Sequence, residues 1–186
     1  SVFFLFVVLV DRLRSAIEIE STFARVDALT QLPNRRDYFE IAGAEITRSR
    51  RYGHPLTLIS MDLDNFKSVN DLDGHDAGDR VLRAVAETLR KNIRSMDVPA
   101  RIGGDEFAIL LPETGRDAAA EIAAKLQQKL THAMQVEGWP VTGSFGVATF
   151  LTLPVSVDEL IKRSDLLLYG AKQKGKNMIC HEVIQC

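Results

Sequence analysis

Gly103-Gly104-Asp105-Glu106-Phe107 stands between two apolar runs, residues 98–102 and 107–111. Glycines between strand-like runs predict a tight β-hairpin, because glycine takes a positive φ without steric cost. Adjacent carboxylates at such a turn can be presented to a metal ion. The glycines also leave space for a ligand to approach the backbone.

The flanking chain alternates helices and strands. Leu32-Pro33-Asn34 is a turn signal, and Asn34 can cap a helix over 35–51 that buries Tyr38, Phe39, Ile41, Ala42 and Ile46. Residues 56–63 predict a strand ending in Asp62 and Leu63, followed by a turn-rich stretch over 64–78. A helix over 79–92 would set Val81, Leu82, Val85 and Leu89 on one face. After the hairpin strands, 98–102 and 106–111, come an alanine-rich helix (116–134), a strand (141–150), a helix (157–173) stopped by Gly175, and a last strand (177–184). This order predicts an α+β fold, a central sheet containing antiparallel strands and flanked by helices.

The 186 residues suffice for one core with at most one extra element. A net charge of −2 excludes a general attraction to nucleic acid. Phosphate binding would have to come from local lysines, helix N-termini and metal. Cys180 and Cys186 do not form a disulfide framework, which points to a reducing cytoplasm. Residues 11–28 lack Gly and Pro, and Ala16, Ile19, Phe23 and Val26 recur at helical spacing. They predict a coiled-coil-like linker or a helix lying on the core. Residues 2–10 are an unbroken apolar run, shorter than the about 20 residues that span a bilayer. Two expectations stand for them. One is the cytoplasmic end of a membrane helix with Arg12 and Arg14 on the inside. The other is a buried element of an upstream domain. The expected division is 1–28 for this segment and its linker, and 29–186 for one folded domain on the cytoplasmic side of an inner-membrane-anchored protein.

Four clusters carry chemistry. In Met61-Asp62-Leu63-Asp64-Asn65-Phe66-Lys67, the two aspartates share one side of a strand end, since side chains alternate with period two. Hard oxygen ligands there suit Mg²⁺, which takes one or two carboxylates and completes its shell with water and phosphate oxygens. Asp64 and Asn65 are also ordinary turn formers. In the stretch 70–79, Asn70 and Asp79 suit the edge of a base: the amide both donates and accepts, and the carboxylate accepts from guanine N–H groups. His75 among these acids reads as a structural hydrogen-bonding residue before a catalytic one. Lys172, Lys174 and Lys176 surround a helix end, suited to polyphosphate and also to capping a helix dipole. Arg94 and Asp97 precede the hairpin; they read either as a surface ion pair or as a site for an anion or a guanine.

Together these segments resemble the GGDEF domain family of diguanylate cyclases. The resemblance runs from about Asp27 to Ile184. It includes Asp27-Ala28-Leu29-Thr30-Gln31-Leu32-Pro33-Asn34-Arg35-Arg36, the stretches 62–67 and 70–79, the hairpin, Ser144-Phe145-Gly146-Val147-Ala148, and Ser164-Asp165 through Tyr169, Ala171-Lys172 and Gly175. The resemblance implies a fold like the palm of nucleotidyl cyclases and polymerases, a ferredoxin-like core. It implies condensation of two GTP into cyclic di-GMP and two pyrophosphates. Asp62, Asp105 and the carbonyl of Leu63 would hold Mg²⁺ or Mn²⁺, with Glu106 in the same acidic site. Asn70 and Asp79 would bind guanine. Lys67, Lys172, Lys176 and the backbone at Phe66 would hold phosphates, and Gly103 and Gly104 would let the hairpin approach the nucleotide. Arg94 and Asp97 match an inhibitory product site. One domain holds one GTP, so a homodimer is implied, controlled by an upstream sensor. The alternative is a receptor or signalling module that binds cyclic di-GMP or GTP without turnover. Gln31 stands where the family usually has Gly, and Lys176 where it usually has Arg. Lysine keeps the charge but gives up the bidentate fork.

Overall fold

The structure is a computed structural model that describes residues 25–152 and 156–185. Asn34 accepts from the Asp37 N–H at 3.0 Å and starts α1 (Arg35–Tyr52), and Gly53, at φ 68, ends it. Then follows β1 (Leu56–Asp64), buried at all nine positions. Burial on both faces explains why this strand reads as an apolar run rather than an alternation.

Next come α2 (Phe66–Asp73) and α3 (His75–Asn92), separated only by Gly74. β2 (Val98–Gly103) and β3 (Glu106–Pro112) form the hairpin, and α4 (Arg116–Val136) leads to β4 (Thr142–Phe150). Finally α5 (Val157–Gln173), capped by Ser156, precedes β5 (Ile179–Ile184).

The five strands lie in the order β2-β3-β1-β4-β5. All neighbours are antiparallel except β4 and β5, which are parallel. The expected α+β architecture is present, and β1 occupies the centre. Each face of the sheet has its own core. Ile59, Met61, Phe107 and Ile109 pack with α3 and α4 residues such as Val81, Val85, Ala123 and Leu126. Leu58, Ala108, Leu110 and Ala148 pack with Tyr38 and Ala42 of α1 and Leu160 of α5.

Three sequence expectations change. The stretch 64–78, read as turns, is α2 plus the first turn of α3. Only Val69 of α2 is buried, so its apolar periodicity is too thin to outweigh its Asn and Asp content. Val26, read as part of a helical stripe, instead pairs with Pro33 in an isolated bridge. The rest of that stripe and the apolar run 2–10 lie outside the described residues. β5 begins at Ile179 rather than 177, because Lys176 (φ 64) and Asn177 (φ 47) are in a left-handed conformation that no strand accommodates. Cys180 is a free cysteine, and Cys186 lies outside the described residues. Among the described residues no helix is long and apolar enough to cross a membrane.

Candidate active site

The strand order decides which acids meet. β1 lies beside β3, and the register sets Asp62 opposite Glu106. The Leu63 N–H donates to the Asp105 carbonyl at 3.3 Å, which ties the hairpin to the strand end. Lys172, in the last turn of α5, closes the group with its Nζ 2.8 Å from Asp62 Oδ2. Burial raises the Asp62 carboxyl above its ordinary value. The negative charges of Asp105 and Glu106 add to the rise, and the hydrogen bond from Lys172 opposes it. Asp62, Asp105 and Glu106 are thus an acidic group with one internal cation.

Asp64 shares the face of Asp62, as the period of two predicts, but its role differs. It accepts from Thr142 Oγ1 at 2.9 Å, Ser144 Oγ at 2.9 Å and the Asn177 N–H at 2.8 Å. These bonds occupy it as a latch joining β1, β4 and the segment after α5. Its partners are 78 to 113 residues away, beyond any local pattern. Asn65 takes the left-handed turn (φ 62) that launches α2, and Lys176 Nζ donates to its Oδ1 at 3.1 Å. Lys176 therefore stands at the N-terminus of α2, beside Phe66 and the exposed Lys67.

In the hairpin only Gly104 has positive φ, at 38°. A side chain at Gly103 would meet open space, so neither turn strain nor packing accounts for that glycine. Arg101 grips the turn: its Nη2 donates to the Gly104 carbonyl at 2.7 Å, and its Nη1 donates to Asp27 Oδ1 at 3.1 Å. Asp27 also accepts from Thr30 Oγ1 at 2.6 Å and from the Thr30 N–H at 2.8 Å. Burial alone would raise the Asp27 carboxyl, but these bonds and Arg101 hold it below its ordinary value. Sequence reading missed this link; the available signal was an arginine two residues before the glycine pair.

Asn70 on α2 and Asp79 on α3 flank the junction of those helices. A Cβ on Gly78 would collide with Asn70 Oδ1, so the carboxamide of Asn70 keeps its position only because residue 78 has no side chain. Asp79 lies 3.8 Å from Arg83, an exposed and weak pair. His75 is exposed at the start of α3, and no hydrogen bond or ion pair among the described residues involves its side chain, contrary to the structural role expected for it. A cavity of about 270 Å³ lies between α1, α5 and the sheet, with Tyr38, Asp165, Glu106 and Lys172 in its wall.

Arg94 and Asp97 lie at the opposite end of β2 from the hairpin, roughly 15–20 Å of strand away. They do not form the ion pair that was one reading of the sequence. Asp97 is 6% exposed and accepts the Arg94 backbone N–H at 2.8 Å. Its Oδ1 is buried without a hydrogen-bond partner, and burial raises its carboxyl above the ordinary value.

The family model described as "Diguanylate cyclase, GGDEF domain" matches residues 24–178. The chain belongs to the GGDEF family. Over 174 residues this GGDEF domain is 35% identical to the response regulator PleD of Caulobacter vibrioides, covering 91% of the chain and 38% of PleD. It is 36% identical over 168 residues to the diguanylate cyclase DgcP of Pseudomonas aeruginosa, covering 89% of the chain and 25% of DgcP. A match of the same identity, over 156 residues, is to the cyclic di-GMP phosphodiesterase NbdA of the same organism, covering 83% of the chain and 20% of NbdA. The GGDEF domain thus spans well under half the length of these relatives. Among solved structures, the coiled coil and GGDEF domain of DgcB from Caulobacter crescentus, in complex with c-di-GMP, superposes with a TM-score of 0.76 at 26% identity. That match covers 95% of each chain.

Proposed function

We propose that this domain is one half of a diguanylate cyclase, joining two GTP into cyclic di-GMP across a homodimer. The observation that carries the reading is the meeting of Asp62 with the hairpin acids beside Lys172. The donor set fits a hard divalent cation. Among the described residues no three His, Cys, Asp or Glu side chains converge to ligate an ion by themselves. Magnesium needs only one or two carboxylates, because phosphate oxygens and water complete its shell. Asp62, Asp105 and the Leu63 carbonyl would hold Mg²⁺ or Mn²⁺. The bound cation supplies charge neutralisation on the phosphates and lowers the pKa of an attacking 3′-hydroxyl.

This chain's own groups do the rest. The backbone at Phe66 opens α2, whose N-terminus has no side-chain cap and favours phosphate. Lys67, Lys172 and Lys176 stabilise charge developing on the leaving pyrophosphate. Asn70 and Asp79 take the guanine edge, and Glu106 stands beside the reacting centre. Gly103 gives a nucleotide access to the hairpin backbone, which accounts for a glycine with no structural demand on it. Arg94, whose guanidinium makes no ion pair among the described residues, and Asp97, with its unpartnered oxygen, form the inhibitory product site.

The test is purified protein with GTP and Mg²⁺, beside Asp105→Ala. The wild-type chain should make cyclic di-GMP. The variant should lose at least about a hundredfold in rate while keeping its circular dichroism. A folded dimer that binds cyclic di-GMP but makes none would favour the receptor reading instead.

A further inference from the structure

The position of Lys172 bears on a second role for it. Its Nζ is 2.8 Å from Asp62 Oδ2, the carboxylate that the proposed reading gives to the metal. Every other charge acting on Asp62 is negative: Asp105 and Glu106. A lysine ammonium is a compact cation on a flexible stem, so it can occupy a carboxylate and leave it. The backbone that carries it is fixed. The Asn177 N–H binds Asp64 Oδ2 at 2.8 Å, and Lys176 Nζ binds Asn65 Oδ1 at 3.1 Å. These contacts pin the exit of α5 between the end of β1 and the N-terminus of α2. Any movement of the cation must therefore come from the Lys172 side chain. The proposed reading puts phosphate at the start of α2, four residues along the chain from the carboxylate that Lys172 already reaches.

We infer that Lys172 is an internal counter-ion: by pairing with Asp62 it competes with metal for that carboxylate, and it transfers to phosphate when a nucleotide binds. Lys172 is then a positioning residue that couples the two ligands. Metal alone must displace an ammonium from Asp62, whereas metal arriving with a nucleotide finds the carboxylate released. By linkage, the nucleotide raises metal affinity by the same factor as metal raises nucleotide affinity, commonly 5–150-fold. The inference rests on Asp62 being a metal carboxylate.

The experiment is a Mn²⁺ titration followed by electron paramagnetic resonance, which needs no turnover. Without nucleotide, Lys172→Met should bind Mn²⁺ at least about fivefold more tightly than the wild-type chain. Lys172→Arg, which keeps the cation, should stay near the wild-type value. With a non-hydrolysable GTP analogue the advantage of Lys172→Met should vanish or reverse. A melting curve for each variant shows that the fold is kept, and Lys172→Gln serves if Lys172→Met does not fold. Mn²⁺ binding that is lost in Asp62→Asn but unchanged in Lys172→Met would overturn the inference and leave the cyclase reading standing. Mn²⁺ binding that ignores Asp62→Asn, with or without the analogue, would overturn both.

Discussion

Asp62 ionises against its surroundings, because burial and the charges of Asp105 and Glu106 raise its carboxyl above the ordinary value. Its folded pKa lies above the ordinary 3.8, so ionisation costs stability as pH rises from 3.8 through the folded value. The cost persists at neutral pH. Asp62→Asn should therefore melt at a higher temperature than the wild-type chain at pH 7 without metal, while making no product. A lower melting temperature would show that the ion pair with Lys172 outweighs the burial. Asp27 behaves oppositely. Its folded pKa lies below 3.8, so its contribution is fully present above 3.8 and is lost as pH falls through the folded value. The gap in urea midpoint between the wild-type chain and Asp27→Ala should be widest at pH 5 and above and should narrow below 3.8. A gap that ignores pH would remove the charge of Asp27 from the account. Gln31, noted as a departure from the family's usual Gly, sits at φ 56. That conformation costs a side-chain-bearing residue roughly 1 kcal/mol, which explains why glycine suits the position.

Two glycines set the approach of helices to their neighbours, with different consequences. A Cβ on Gly146 would collide with the Ser164 carbonyl and the Leu168 nitrogen, backbone atoms of α5 that cannot move aside singly. Gly146→Ala should cost about 3 kcal/mol or more in urea unfolding. A Cβ on Gly78 meets the movable carboxamide of Asn70. Gly78→Ala should cost less stability but raise the KM for GTP about tenfold, since Asn70 must turn from the position proposed for guanine. Equal stability losses with an unchanged KM would contradict the roles given to Asn70 and α2. The same elements show what was legible beforehand. The apolar run of β1 was readable because burial on both faces writes a continuous pattern into local sequence, and the end of α5 because Gly175 stops a helix. α2 was not, since Phe66, Val69 and Leu72 make too short a stripe to outweigh the Asn and Asp around them. The contact of Arg101 with Asp27 and the bonds of Asp64 depend on strand order, which no window of residues contains. The split between Asp62, facing a cation, and Asp64, fully occupied by hydrogen-bond donors, was invisible for the same reason: both acids obey the same alternation.

At the scale of the molecule, the described residues of one domain supply one proposed guanine position, one acidic strand end and one set of lysines. Cyclic di-GMP contains two guanylates related by two-fold symmetry, so two such domains must face one another to make it. The segment upstream of Arg25, the coiled-coil-like stretch of the sequence, is the proposed means of bringing them together under control of a sensor. The proposed catalytic unit is therefore the dimer rather than the fold of one chain. The most direct test is the initial rate of cyclic di-GMP formation across a hundredfold range of protein concentration at saturating GTP and Mg²⁺. A dimeric catalytic unit predicts a rate that rises faster than linearly until the dimer is saturated, with specific activity lost on dilution. A specific activity that stays constant down to concentrations where sedimentation finds only monomer would contradict it.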